Sequence, residues 1–345
     1  MEITDIEYVE FYVGDARAAA EAWCTEYGFR VEGELPVPGD PAACSFLVRQ
    51  GGIDLVLTSS ALAGHPAYEY VARHGDGVAV IAFAVEDVRE AFDEVVRRGA
   101  RVVSGPSEVE LGVGVEVGAA EVRGFGDVVH RFVPRAPGTA HSRAAAQLEE
   151  IDHVAVCLPA GTLRPTTDFY RTVFGFDQIF EEYVEIGGQA MDSTVVQSRS
   201  GRVTFTFLEP DPTRRPGQID AFLEAHGGAG VQHLAFRTAD IAAAVRTLEA
   251  RGVRFLATPG AYYDALTDRL GGLGHRLATL RELNILVDRD HWGEVFQIFT
   301  RSEHPRRTYF SEVIDRHGAR TFGSGNIKAL YQAVEREAED SVLPR

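Results

Sequence analysis

The segment Gly77-Val78-Ala79-Val80-Ile81-Ala82-Phe83 returns 153 residues later as Gly230-Val231-Gln232-His233-Leu234-Ala235-Phe236. The offset holds without a gap through five identical pairs, Asp87/Asp240, Ala91/Ala244, Arg98/Arg251, Gly99/Gly252 and Arg101/Arg254. Ile6-Glu7-Tyr8-Val9 likewise parallels Ile151-Asp152-His153-Val154, and Tyr27-Gly28-Phe29 parallels Phe174-Gly175-Phe176. Self-similarity on this scale marks a duplicated structural unit, so whatever one half folds into the other must fold into as well.

Each half reads as strand, helix and several strands, with that unit present twice. Residues 7–13 and 153–158 carry strand patterns, and residues 17–27 and 166–174 carry helical ones. Residues 87–98 and 240–251 open on an aspartate suited to accept from free helix N–H groups and stop at a glycine. Gly51-Gly52, Gly187-Gly188 and Ser200-Gly201 punctuate the strand-rich stretches as hairpin turns. The pattern predicts an α+β fold of duplicated βαβββ modules, with two curled sheets, mixed or mostly antiparallel. A stretch rich in Pro, Ala, Gly and Ser divides the chain into a first domain at 1–135, a linker at 136–148 and a second domain at 149–345.

Three hundred and forty-five residues suffice for two ordinary cores. A formal charge of -17 repels a phosphate backbone and an anionic lipid surface alike, which removes nucleic acid and membrane from the expected partners. The absence of an export signal or membrane-length apolar run predicts a cytoplasmic protein. Cys24, Cys44 and Cys157, odd in number and in apolar surroundings, are expected to be buried free thiols.

The duplication supplies its own control. His153 and His233 sit on strands of the second half where the first half has Tyr8 and Val80. The fold does not demand histidine there, so a single metal site in the second half is one reading; a hydrogen-bonded core histidine is the other. In the tail, Ile327, Leu330, Tyr331 and Val334 recur at i, i+3, i+4 and i+7, the apolar stripe of an amphipathic helix. Gly323-Ser324-Gly325 is expected as its hinge, Asn326 as its cap, and the helix itself as a lid.

The segments Gly228-Ala229-Gly230-Val231-Gln232-His233-Leu234-Ala235, Pro259-Gly260-Ala261-Tyr262-Tyr263-Asp264, Ile285-Leu286-Val287-Asp288-Arg289-Asp290, Phe296-Gln297-Ile298-Phe299-Thr300 and the run from Phe322 to Leu330 resemble the family of 4-hydroxyphenylpyruvate dioxygenases and 4-hydroxymandelate synthases, within the vicinal oxygen chelate superfamily. The resemblance covers nearly the whole chain and is dense after residue 150. It implies that His153, His233 and Glu312 bind Fe(II), an arrangement of two histidines and one carboxylate that leaves open positions for substrate and O2. On sequence alone Glu312 would pass as a solvated strand residue. The implied substrate is an aryl 2-oxo acid, decarboxylated oxidatively with O2 and with no separate 2-oxoglutarate.

Two products are open within the family, homogentisate from ring attack and 4-hydroxymandelate from benzylic hydroxylation. Where the dioxygenase pattern has Pro-Leu-Asn-Glu-Pro this chain has Thr206-Phe207-Leu208-Glu209-Pro210, and where it has Gly-Asn-Phe this chain has Gly325-Asn326-Ile327. Both departures resemble the hydroxymandelate-forming branch. Phe299, Phe310 and Phe322 are expected to pack the substrate ring. Ser193, Thr206, Gln218 and Gln297 are expected to orient its polar groups, with Leu208 and Ile327 shaping the pocket and Ile327 and Gln297 acting closest to the chemistry. Gln297 serving neighbouring backbone groups, and Ser193 and Thr206 as inward strand positions without substrate contact, are the simpler readings of those residues. A metal-free binding module of the same superfamily is the competing class, distinguished by showing neither O2 uptake nor CO2 release. A homodimer is left open.

Overall fold

The computed structural model describes residues 1–37, 40, 42–111, 115–135, 146–271 and 276–331. The first half contributes β1 (Asp5–Tyr12), β2 (Arg30–Leu35), β3 (Cys44–Gln50), β4 (Ile53–Ser59), β5 (Gly77–Val85), β6 (Val102–Leu111), β7 (Val115–Arg123) and β8 (Val129–Pro134). The second half contributes β9 (Glu150–Cys157), β10 (Asp177–Ile186), β11 (Gln189–Gln197), β12 (Thr204–Pro210), β13 (Gly230–Arg237), β14 (Leu286–Arg289), β15 (Glu294–Phe299) and β16 (Phe310–His317).

The sheets run β2-β3-β4-β1-β5-β8-β7-β6 and β10-β11-β12-β9-β13-β16-β15-β14, so each strand of the second occupies the place of its counterpart eight numbers earlier. Both sheets are mixed. β1 pairs in parallel with β4 and β5 with β8, as β12 does with β9 and β13 with β16. The α+β class and the repeat read from the sequence are therefore the architecture. The expected linker at 136–148 lies largely outside the described residues, as does Val334 of the tail stripe.

The helices show where simple periodicity falls short. α1 (Ala16–Ala22), capped by Asp15, passes into a wider turn of π-helix at Trp23–Tyr27, which ends at Gly28 with φ +77°. After α2 (Pro66–His74) and α3 (Val88–Arg97) in the first half, α4 (Leu163–Phe169) repeats this π turn at Tyr170–Phe174. The single continuous helices expected at 17–27 and 166–174 are thus each split. Asp87 and Asp240 cap α3 and α6 (Ile241–Ala250) as expected, while α5 (Gln218–His226) precedes β13. Among the described residues α7 (Gly260–Leu270) and α8 (Arg276–Glu282) have no counterpart in the first half.

An aromatic core joins the halves. Trp23 and Phe29 pack edge-on against Phe236, and Phe83 meets Phe174, Phe176 and Phe205. All three cysteines are free, but only Cys157 is buried; Cys24 and Cys44 are half-buried, because β3 and the π turn expose one side. Among the described residues no helix is long and apolar enough to cross a membrane.

Candidate metal centre

Register brings the three candidate ligands together. His153 on β9 pairs with Ala235 on β13, and Ala235 pairs with Glu312 on β16, so His153 and Glu312 flank one small residue across three adjacent strands. His233 lies two positions before Ala235 and so shares its face. One donor atom from each of His153, His233 and Glu312 falls within 4.8 Å of the others. Glu312 Oε2 stands 3.5 Å from His153 Nε2 and 3.3 Å from His233 Nε2, and all three side chains are buried. Two buried imidazoles and a buried carboxylate converging on one point fit a divalent cation.

The remaining nitrogen of each histidine is held by the residue just before it. Asp152 and Gln232 are skipped by the strand pairing, each forming a bulge between paired neighbours. A bulge lets adjacent side chains share a face that alternation would separate. His153 Nδ1 donates to Asp152 Oδ1 at 2.9 Å, and His233 Nδ1 to Gln232 Oε1 at 3.3 Å. Asp152 is gripped in turn by both arms of Arg316, at 2.7 and 2.8 Å, and Arg316 lies over the ring of Phe322. Sequence reading missed Asp152, Gln232 and Arg316. The available signal was a polar residue directly before each histidine, which strand alternation assigns to the opposite face.

The charges follow from this packing. Burial alone would raise the Glu312 carboxyl, yet the two histidines beside it hold it down to about 2. Burial opposes protonation of His153, but Glu312 and Asp152 outweigh it and lift the imidazole to about 9. At His233 burial wins over Glu312, and its pKa falls below the usual value.

The first half shows the same frame without the site. Tyr8 stands for His153, Val80 for His233 and, since Arg131 pairs with Ala82 as Glu312 does with Ala235, Arg131 stands for Glu312. Bulges recur there at Glu7 and Ala79. The Arg131 guanidinium is bound by Tyr8, Glu10 and Glu121, so a fixed side-chain cation stands at the register position of Glu312.

A cavity of about 50 Å³ adjoins the ligands. Of the expected residues it gathers Thr206, Leu208, Gln218, Gln297, Phe299, Phe322 and Ile327, and it adds Ala155, Met191, Gln232, Leu330 and Tyr331. Two expected residues fall elsewhere. Ser193 is buried on β11 opposite Leu208, outside this lining. Phe310 stacks on His233 with ring centres 4.7 Å apart and borders a separate cavity of about 200 Å³ at the seam between the halves. Its place is set by β16, where it pairs with His233 and so lies beside that ring.

Residues 324–331 form a helix across the cavity. Gly323, at φ +69°, makes the turn into it, and its carbonyl accepts from Asn326 and Ile327. Asn326 is therefore inside the first turn and does not cap it; its side chain points inward, where Nδ2 donates to Gln297 Oε1 at 2.7 Å. Ile327 and Tyr331 pack towards Leu208 and Met191, and Leu330 towards Phe299. A space of about 50 Å³ holds little more than water. The helix as seen is seated on its site.

The chain matches the model of the Glyoxalase/Bleomycin resistance protein/Dioxygenase superfamily over residues 5–123 and 150–296. The 4-hydroxyphenylpyruvate dioxygenase of Dictyostelium discoideum is 31% identical over 358 residues, covering 96% of this chain and 98% of that protein. That of Coccidioides posadasii (strain C735) is 33% identical over 368 residues, covering 96% and 92%. Among solved structures, a mutant of 4-hydroxymandelate synthase from Streptomyces coelicolor superposes with a TM-score of 0.90 at 46% identity, covering 98% of this chain and all of that one. The chain belongs to the 4-hydroxyphenylpyruvate dioxygenase family of that superfamily and is an enzyme of the dioxygenase type.

Proposed function

We propose that this enzyme is an Fe(II)-dependent oxygenase that converts 4-hydroxyphenylpyruvate and O2 to 4-hydroxymandelate and CO2. The supporting observation is the 46% identity over 98% of the chain to a hydroxymandelate synthase, with Ile327 lining the cavity from the C-terminal helix. His153, His233 and Glu312 would hold the metal. When bound there, Fe(II) supplies the means of reducing O2 at the expense of the 2-oxo acid.

The remaining residues position substrate. Phe299 and Phe322 offer rings to the aryl group, and Gln218 and Gln232 offer amides. Thr206 Oγ1 is buried without a hydrogen-bond partner on the cavity wall, so a substrate oxygen there would remove the cost of leaving it unpaired. Both ends of the Gln297 amide are engaged, with Glu312 and Asn326, which fits a role in holding the carboxylate more than the substrate. A substrate of thirteen heavy atoms exceeds the closed cavity, so the C-terminal helix would lift to admit it and reseat to exclude water. The first half, proposed as domain 1–135, contributes support through the shared core.

Product analysis tests the reading. Protein loaded anaerobically with Fe(II) and exposed to 4-hydroxyphenylpyruvate in air is expected to yield 4-hydroxymandelate with stoichiometric CO2. Homogentisate as the main product, the outcome that the names of the relatives at 31% and 33% identity favour, would overturn it.

A further inference from the structure

We propose that Tyr262 is a positioning residue for the carboxylate ligand, and that its hydroxyl couples the seating of the C-terminal helix to the orientation of Glu312. Four hydrogen bonds run end to end. The Tyr262 hydroxyl accepts from the Val287 N–H at 2.8 Å and stands 2.8 Å from Asn326 Oδ1. Asn326 Nδ2 donates to Gln297 Oε1 at 2.7 Å, and Gln297 Nε2 donates to Glu312 Oε1 at 2.9 Å. The phenolic oxygen also lies 2.9 Å from the Val287 carbonyl, which has Arg269 Nη2 as a donor at 2.8 Å, whereas Asn326 Oδ1, at 2.8 Å, has the phenol as its donor; we assign the phenolic proton to Asn326 on that ground.

The relay has one polarity. Each donor points towards Glu312, and flipping either amide would set NH2 against NH2 or oxygen against oxygen. Asn326 is 0% exposed, Gln297 3% and Glu312 1%, so water is not at hand to replace a lost link. The Gln297 bond also decides which carboxylate oxygen faces the histidines, because it takes Oε1 and leaves Oε2 to them. Asn326 belongs to the first turn of the helix that covers the cavity. If that helix lifts, Gln297 loses the partner that orients it.

A second observation agrees with this assignment. Tyr262 lies on α7, one of the two helices present only in the half that carries the metal ligands. Among the described residues the first half, where Arg131 stands in place of Glu312, has neither that helix nor a counterpart of the relay.

The inference rests on the metal-centre reading, and one experiment separates the two. Co(II) affinity and amide hydrogen exchange over residues 324–331 are measured for the full chain, for Tyr262→Phe and for Asn326→Ala. Wild-type protein is expected to bind Co(II), with exchange in the helix slowing about tenfold on binding, a coupling of ordinary size. Both variants are expected to bind Co(II) roughly 10- to 100-fold more weakly, as loss of a partner behind a ligand does elsewhere. Their helix exchange should no longer respond to the metal. Variants that keep both the affinity and the response overturn the relay while leaving the metal site standing. Wild-type protein that takes up no Co(II) removes the metal site, and the relay with it. Thermal melts that match wild type for Tyr262→Phe show that the change is local.

Discussion

A histidine that is to serve a metal through Nε2 must be prevented from turning, and for His153 and His233, proposed as ligands, the restraint is the residue directly before each. The two restraints differ in strength. Asp152 is a carboxylate held by Arg316 in a two-pronged ion pair, whereas Gln232 offers a neutral oxygen at 3.3 Å. Replacing Asp152 with Asn removes the charge behind His153 and should weaken metal binding by about 10- to 100-fold, read by titration against a coloured chelator. Unchanged affinity would show that Asp152 serves only Arg316. His233→Ala should lose metal and turnover together, and retained turnover would remove His233 from the ligand set. His153 and His233 were legible because the duplication placed Tyr8 and Val80 beside them for comparison. Asp152 and Gln232 were not, since a bulge is decided by how two strands pair, and neither strand alone records it.

The tail stripe was legible as a helix because Ile327, Leu330 and Tyr331 recur at helical spacing, and all three meet the cavity. The inward turn of Asn326 was not, because its partners Gln297 and Tyr262 lie 29 and 64 residues away. α7 and α8 also escaped the repeat, as inserted elements must when only one copy has them. The π turns after α1 and α4 were hidden because the hydrophobic pattern of a short helix does not register one extra residue per turn. At this level Ile327 carries a prediction separate from the ligands. It lies on the cavity wall from the C-terminal helix and makes no hydrogen bond to the relay through its side chain. Ile327→Phe should move the product ratio towards homogentisate while metal affinity stays within about twofold, since misplacing a ring by an ångström can change a rate a hundredfold. A product ratio equal to wild type would show that ring placement is set elsewhere.

Two sheets of one topology follow from the repeat, but how the halves hold each other depends on contacts between the copies that neither copy records alone. One such contact is the stack of His74 on His226, with ring centres 4.3 Å apart, where the ends of α2 and α5 meet. His74 also bonds Asp127 and the carbonyl of His226. Burial, with the neighbouring His74, pushes His226 down from 6.5 to about 4. The sign follows from proton uptake: between these values the unfolded chain binds a proton at this position and the folded chain does not, so stability falls as pH falls. The contribution is whole above 6.5, shrinks between 6.5 and 4, and is on the order of 3 kcal/mol across that window. His130, buried against Phe83 and held down to about 3, extends the same slope to lower pH. Urea midpoints measured from pH 8 to pH 4 should therefore drop more steeply for wild type than for His226→Gln, with the two curves closing on each other as the pH falls. Parallel curves would mean that the seam does not titrate and that acid acts on this protein through other groups.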